Sequence, residues 1–230
     1  MSGESMLDHL PWHALRTEHA RFACQAGSAC RYPGEVAPFA ATADYGVRAM
    51  QELALLLAPG EIVYLMGDAP AKVRGVIYGD VFPCLQMVLP EFVDSGPAHD
   101  SGIELLTQAD AADMVELTRV AFPGFFRLRT CEMGVYYGIR AGGELIAMAG
   151  ERMALPGYRE VSGVCTHPAH RGKGYAVELI EHLLRVHARA DLRSFLHVSQ
   201  ANTTAIPIYR RLGFAIRREV LLYPVSIDQG

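Results

Sequence analysis

No C-x-x-C pair occurs among the five cysteines, Cys24, Cys30, Cys84, Cys131 and Cys165, and their number is odd. That argues against both a disulfide framework and a zinc ribbon, and a reducing, cytoplasmic setting is expected. Long apolar runs are missing too. The longest, Leu53 to Ala58, is far too short to cross a bilayer, and no basic segment leads into an apolar one at the amino terminus. No membrane partner is expected. Positive charge is not in excess either: a formal net charge of −4 argues against a nucleic-acid partner. The histidine pairs His9/His13, His167/His170 and His182/His187 have no carboxylate or cysteine set to complete a tetrahedral site, so no metal is expected.

What is present suffices for a sizeable core, since half of the 230 residues are apolar. The polar stretch Asp94 to Gly102, rich in Gly, Pro and Ser, reads as a linker between an accessory part (1–95) and a second part (102–230). Residues 1–100 carry 6 Lys and Arg against 12 Asp and Glu, whereas 101–230 carry 15 against 13, so the second part suits an anionic ligand better. The first part reads α-α-β-β-β. Its helices are expected from about Pro11 to Gln25 and, with Asp44 as N-cap, on to Ala58; the strands at Ile62–Met66, Val73–Tyr78 and Leu85–Leu89. In the second part a strand at Ile103–Leu106 precedes a capping box, Thr107 with Asp110, that opens a helix to about Ala121, where Pro123-Gly124 stops it. Strands Val135–Arg140 and Leu145–Met153 flank the hairpin signal Ala141-Gly142-Gly143-Glu144, and Tyr158–Thr166 follows. Strands with helices between them give an α/β fold, a mixed central sheet flanked by helices.

The most informative stretch runs from Val161 to Ala176. Strand spacing ends at Pro168, and from Ala176 the apolar positions Leu179, Ile180, Leu183 and Leu184 recur at helical intervals. A helix starting near Arg171 leaves its first backbone N–H groups without intrahelical partners, with its positive dipole end beside them. Gly172 and Gly174 allow close approach, and Arg171 and Lys173 add charge. The G-x-x-x-x-G-K-[ST] phosphate loop fails because Gly174 follows Lys173, and Val177 stands where G-x-G-x-x-G needs its third glycine.

Arg171-Gly172-Lys173-Gly174-Tyr175-Ala176 instead resembles the R/Q-x-x-G-x-G/A signature of the GCN5-related N-acetyltransferases, and Asn202 to Phe214 resembles that family's N-x-x-A-x-x-x-Y-x-x-x-G-F element. The resemblance covers roughly 102–227, and its carboxyl-terminal part is similar to the FR47-like branch. It implies acetyl-CoA as cosubstrate, its pyrophosphate on Arg171, Gly172, Lys173, Gly174, Tyr175 and Ala176. It also implies that the pantetheine arm lies along Val164, Cys165 and Thr166, with Asn202 touching the cofactor. Tyr209 matches the family tyrosine that protonates the leaving thiolate. Glu160, eleven residues before Arg171, stands at the offset where histone-acetylating members carry a general base, and burial would have to raise its pKa. Glu151 is the second choice and His197 a reserve. The basic pairs Arg210-Arg211 and Arg217-Arg218 read as solvated surface. The expected activity is N-acetyl transfer to a primary amine, on a small molecule or a protein, by direct attack in a ternary complex. A catalytically silent acyl-CoA sensor is the alternative, and a homodimer is compatible with either.

Overall fold

The computed structural model describes residues 3–94, 102–121 and 124–228. In chain order these form α1 (Leu10–Ala14), β1 (Cys24–Ala26), β2 (Ala29–Arg31), β3 (Ala40–Thr42), α2 (Val47–Ala54), β4 (Val63–Met66), β5 (Val76–Tyr78) and β6 (Phe82–Val88). Then come β7 (Ile103–Leu106), α3 (Ala111–Ala121), β8 (Tyr136–Ala141), β9 (Glu144–Leu155), β10 (Tyr158–Thr166), α4 (Tyr175–Arg189), β11 (Arg193–Ser199), α5 (Ala205–Arg211) and β12 (Ala215–Ile227). The expected linker lies almost wholly outside the described residues, as does Pro123.

Strands β4 to β12 form one mixed, nine-stranded sheet in the order β4-β12-β6-β11-β10-β9-β8-β7, with β5 also on β12. Among the described strands of this sheet only β10 and β11 pair in parallel, as the helical crossover α4 between them requires. Strand β6 lies between β11 and β12 and pairs antiparallel with both. Pairing therefore crosses the boundary expected at 95–102: the first part of the chain completes the sheet of the second. It also adds the small sheet β1-β2-β3, which apolar spacing did not reveal.

Each sheet face has its own cover. On one, Leu179, Ile180, Leu183 and Leu184 of α4 pack with Val161, Leu196 and Val198. On the other, Leu7, Leu10, Leu15, Tyr32 and Phe39 from the amino-terminal segment pack with Met153, Tyr158 and Phe195. Beside them, Met114 and Leu117 of α3 meet Tyr136, Met148 and Cys165. The helix expected over 11–25 is cut to α1 because His19 turns inward, its ring hydrogen-bonded to the Tyr32 hydroxyl (2.9 Å) and the Met133 carbonyl (3.0 Å). Burial lowers the pKa of that imidazole to about 4, which keeps it neutral in the core. The Asp44 carboxylate accepts from the Gly46 N–H (2.7 Å) in a short turn before α2 rather than capping it directly. The capping box at Thr107 and Asp110 forms as expected, through a 3-10 turn leading into α3.

A buried polar chain ties α4 to the sheet: His187 bonds Ser194 of β11 through Nδ1 (2.8 Å) and Glu151 of β9 through Nε2 (3.0 Å). All three residues are almost wholly buried. Replacing His187 by Leu strands the Ser194 hydroxyl and one Glu151 oxygen, so His187→Leu is expected to cost about 2 kcal/mol in urea denaturation. An unchanged midpoint would show that α4 does not depend on this link.

Candidate active site

Pairing between β10 and β11 runs only from Tyr158↔Arg193 to Glu160↔Phe195, although the strands continue to Thr166 and Ser199. Beyond Glu160 the two strands part, and the facing edge of β10 has no partner strand. Its other edge stays on β9 with a register shift between Ser162 and Cys165. Gly163 sits in this bulge at φ +62°, and a Cβ there would come within 2.9 Å of the Tyr136 ring. Only glycine meets both demands.

A cavity of about 620 Å³ opens where the strands part. Val164, Cys165, Thr166, Asn202 and Tyr209 line it together with the whole loop Arg171–Ala176, so every expected site residue except Glu160 is brought to one place. Helix α4 begins at Tyr175, later than expected, with Gly174 as N-cap at φ +87°. The backbone N–H groups from Gly172 to Val177 find no acceptor among the described residues. A Cβ at Gly172 or Gly174 would meet nothing within 4 Å, so the loop presents an open cradle of backbone donors at a helix N-terminus. That cradle, with Arg171 and Lys173 beside it, fits a pyrophosphate. Arg171 also leans on the Thr166 carbonyl (3.4 Å) and the Ala121 carbonyl (3.3 Å), which joins the loop to β10 and α3.

Asn202 accepts from the N–H of Ala205, the first residue of α5 (3.0 Å), while facing the cavity; the N-cap position itself is Thr204. The Tyr209 hydroxyl has no hydrogen-bond partner among the described residues; its ring packs edge-on to Phe214. Burial pushes its phenol up to about 12, so the hydroxyl stays protonated over the whole neutral range. The Cys165 side chain packs among Met114, Leu117 and Met148, and burial pushes its thiol up to about 12. Cys165 thus contributes backbone and bulk. Among the lining residues that were missed, two carry side chains of chemical interest. His170 carries a buried Nδ1 with no partner, and Arg211 belongs to a pair read as surface. Their proximity to the cavity is set by the turn after β10 and by the packing of α5, which no local spacing encodes.

Glu160 requires a correction, because its carboxylate lies apart from this cavity, fully buried on the opposite face from α4. It accepts from Arg152 Nε (2.9 Å) and NH2 (2.5 Å), from His197 Nδ1 (2.8 Å) and from the Met153 N–H (3.2 Å). Burial, the strongest single influence, pushes the carboxyl up. The Arg152 charge and the hydrogen bonds of His197 and Arg152 outweigh it and hold the group at about 2. The raised pKa that a base here would need is not found. Glu151, the second choice, is bound to His187. Among the described residues no aspartate or glutamate lines this cavity or a smaller one next to it, bounded by Cys165, Gly163, Ser162, Arg152 and Tyr136 among others. Among the described residues no group of three or more His, Cys, Asp or Glu is placed to hold a metal.

The acetyltransferase (GNAT) family model matches residues 106–214. The chain is similar over nearly its full length to the crystal structure of a putative acetyltransferase of that family from Novosphingobium aromaticivorans. Identity is 34%, 97% of this chain and 99% of that one are covered, and the TM-score is 0.89. A GCN5-related N-acetyltransferase from Kribbella flavida shares the fold at 17% identity and TM-score 0.63, over 96% and 95% of the two chains. A GCN5-related N-acetyltransferase-like protein from Streptococcus suis does so at 15% and 0.55, over 86% and 80%. No functionally curated protein matches. The FR47-like assignment rests on the sequence motif alone.

The Glu160 carboxyl titrates below the ordinary glutamate value of 4.5, so its ion pair stabilises the fold fully above pH 4.5 and loses that contribution as pH falls toward 2. Glu160→Gln is expected to lose about 3 kcal/mol at pH 7 and to flatten the acid limb of stability against pH. Equal acid limbs in the two proteins would contradict the pairing.

Proposed function

The chain belongs to the GNAT acetyltransferase family, and from that premise we propose that it moves an acetyl group from acetyl-CoA to an amine by direct attack while both are bound. The observation that carries this reading is the parting of β10 from β11, with an anion cradle and Tyr209 bordering the resulting cavity. The backbone of Gly172 to Val177, with Arg171 and Lys173, would hold the pyrophosphate, and the free edge of β10 from Val164 to Thr166 the pantetheine amides. Bound there, acetyl-CoA supplies an activated thioester. Backbone donors of the bulge are fixed before reaction and so can stabilise charge on the carbonyl oxygen without reorganising.

Tyr209 would serve the departing sulfur as a hydrogen-bond donor. With its phenol near 12 and a thiol near 8.5, outright proton transfer is uphill by roughly three pK units, so donation rather than transfer is its role. With no carboxylate lining the cavity among the described residues, the amine would lose its proton to water. The amino-terminal segment closes the acceptor side, Phe39 lying against the Arg152 guanidinium at 4.7 Å. The acceptor, a small molecule or a protein amine, belongs to the same proposal, as does a cytoplasmic location, which suits five unpaired cysteines. No described helix is long and apolar enough to cross a membrane.

Acetyl-CoA and free coenzyme A are expected to raise the melting temperature while NAD and ATP do not, and Gly174→Asp is expected to abolish the shift by placing a carboxylate in the cradle. A shift that survives Gly174→Asp would misplace the loop. In a thiol-release assay Tyr209→Phe is expected to lower kcat about a hundredfold at nearly constant affinity for acetyl-CoA. Unchanged turnover would remove its role, and no thiol release with any amine would mark a silent binding module.

A further inference from the structure

Next to the cavity described above lies a chamber of about 40 Å³ that shares Cys165 with it. Its walls include the rings of Phe125, Phe126 and Tyr136, the bulge residues Ser162 and Gly163, Thr118, Thr130 and Arg152. Arg152 is mostly buried, with its Nε and NH2 on Glu160 and its guanidinium carbon 4.7 Å from the Phe39 ring centre. Its NH1 has no acceptor among the described residues. The side chain keeps 12% of its surface exposed, so NH1, without a protein partner, opens on the chamber, where a ligand oxygen can take the place of water.

The charge of that oxygen follows from the neighbours. Arg217 NH1 donates to Gln86 Oε1 (2.7 Å), which fixes the Gln86 amide with its nitrogen toward the Leu7 carbonyl (3.0 Å) and His197 Nε2 (3.1 Å). His197 Nε2 therefore accepts, and Nδ1 carries the hydrogen donated to Glu160. His197 is neutral in this arrangement, and Arg152 and Glu160 cancel. The Arg152, Glu160 and His197 side chains behind the chamber thus carry no net charge with which to balance a carboxylate, Arg217 beyond them being paired with Asp8, and burying one there without compensation is costly. A reactive α-amino acid, its amine already deprotonated, would bring such an uncompensated charge.

We propose that Arg152 is a specificity-determining residue of the acceptor site. Its NH1 donates to an uncharged carbonyl oxygen beside the attacking amine, so that amino-acid amides and peptide amino termini are accepted in preference to free amino acids. This rests on the acetyl-transfer reading above. The small chamber holds the carbonyl.

The test is thiol release with acetyl-CoA and a panel of amino-acid amides, each matched with its free acid, with kcat/KM counted on the free-amine fraction. Wild-type protein is expected to favour the amides by about tenfold. Arg152→Lys, whose single nitrogen is taken up by Glu160, is expected to lose most of that preference. Arg152→Met combined with Glu160→Gln, which leaves no buried charge unpaired, is expected to lose all of it. Coenzyme A binding is measured in parallel to confirm that each variant is folded. Acids accepted as well as amides by the wild type, a preference that survives in both variants, or acetylation of other amines but of no amide would each overturn the inference. Failure of acetyl-CoA to bind the wild-type protein would instead overturn the acetyl-transfer reading, and this inference with it.

Discussion

Much of the structure depends on how β10 and β11 come apart, and the Glu160 carboxylate sits at the last pair before they do. In a parallel pair each further residue adds to the ladder, so strands of this length would ordinarily stay together. Here the glycine bulge at Gly163 turns β10 away, and a buried ion pair bridges β9 and β10 while reaching His197 on β11. Removing one member of such a group leaves a charge in the core, which costs far more than the intact group contributes. The arrangement therefore holds the three strands together on one side of the fork while the other side stays open.

The amino-terminal part of the chain makes that opening tolerable. Strand β11 loses β10 on one edge but keeps β6 on the other across Cys84 to Val88, so it never becomes a bare strand. Strand β6 in turn is gripped by β12, and the segment carrying Leu7, Tyr32 and Phe39 covers the sheet face on which Glu160 and Arg152 lie. The open edge is thus confined to the few residues of β10 that border the main cavity.

The sequence was most legible where structure is local. Tyr158–Thr166 is a strand, Gly142-Gly143 closes a hairpin, Thr107 and Asp110 form their box, and the glycine loop opens α4, because each depends on neighbours within a few residues. The helix expected from about Pro11 to Gln25 was cut short, since the pull of Tyr32 and Met133 on the His19 ring comes from distant parts of the chain. The insertion of β6 between β11 and β12 is likewise non-local and leaves no trace in spacing. Glu160 was noticed for its offset from Arg171, but the offset carries no information on Arg152 and His197, which set its chemistry.

The central claim is that backbone N–H groups at two places, the free edge of β10 and the mouth of α4, hold one ligand between them. Amide hydrogen exchange with and without saturating coenzyme A reads those groups directly. Slower exchange at Val164–Thr166 and at Gly172–Val177 together is the expected result. Protection at neither segment, or only at sites remote from the fork, would contradict the account.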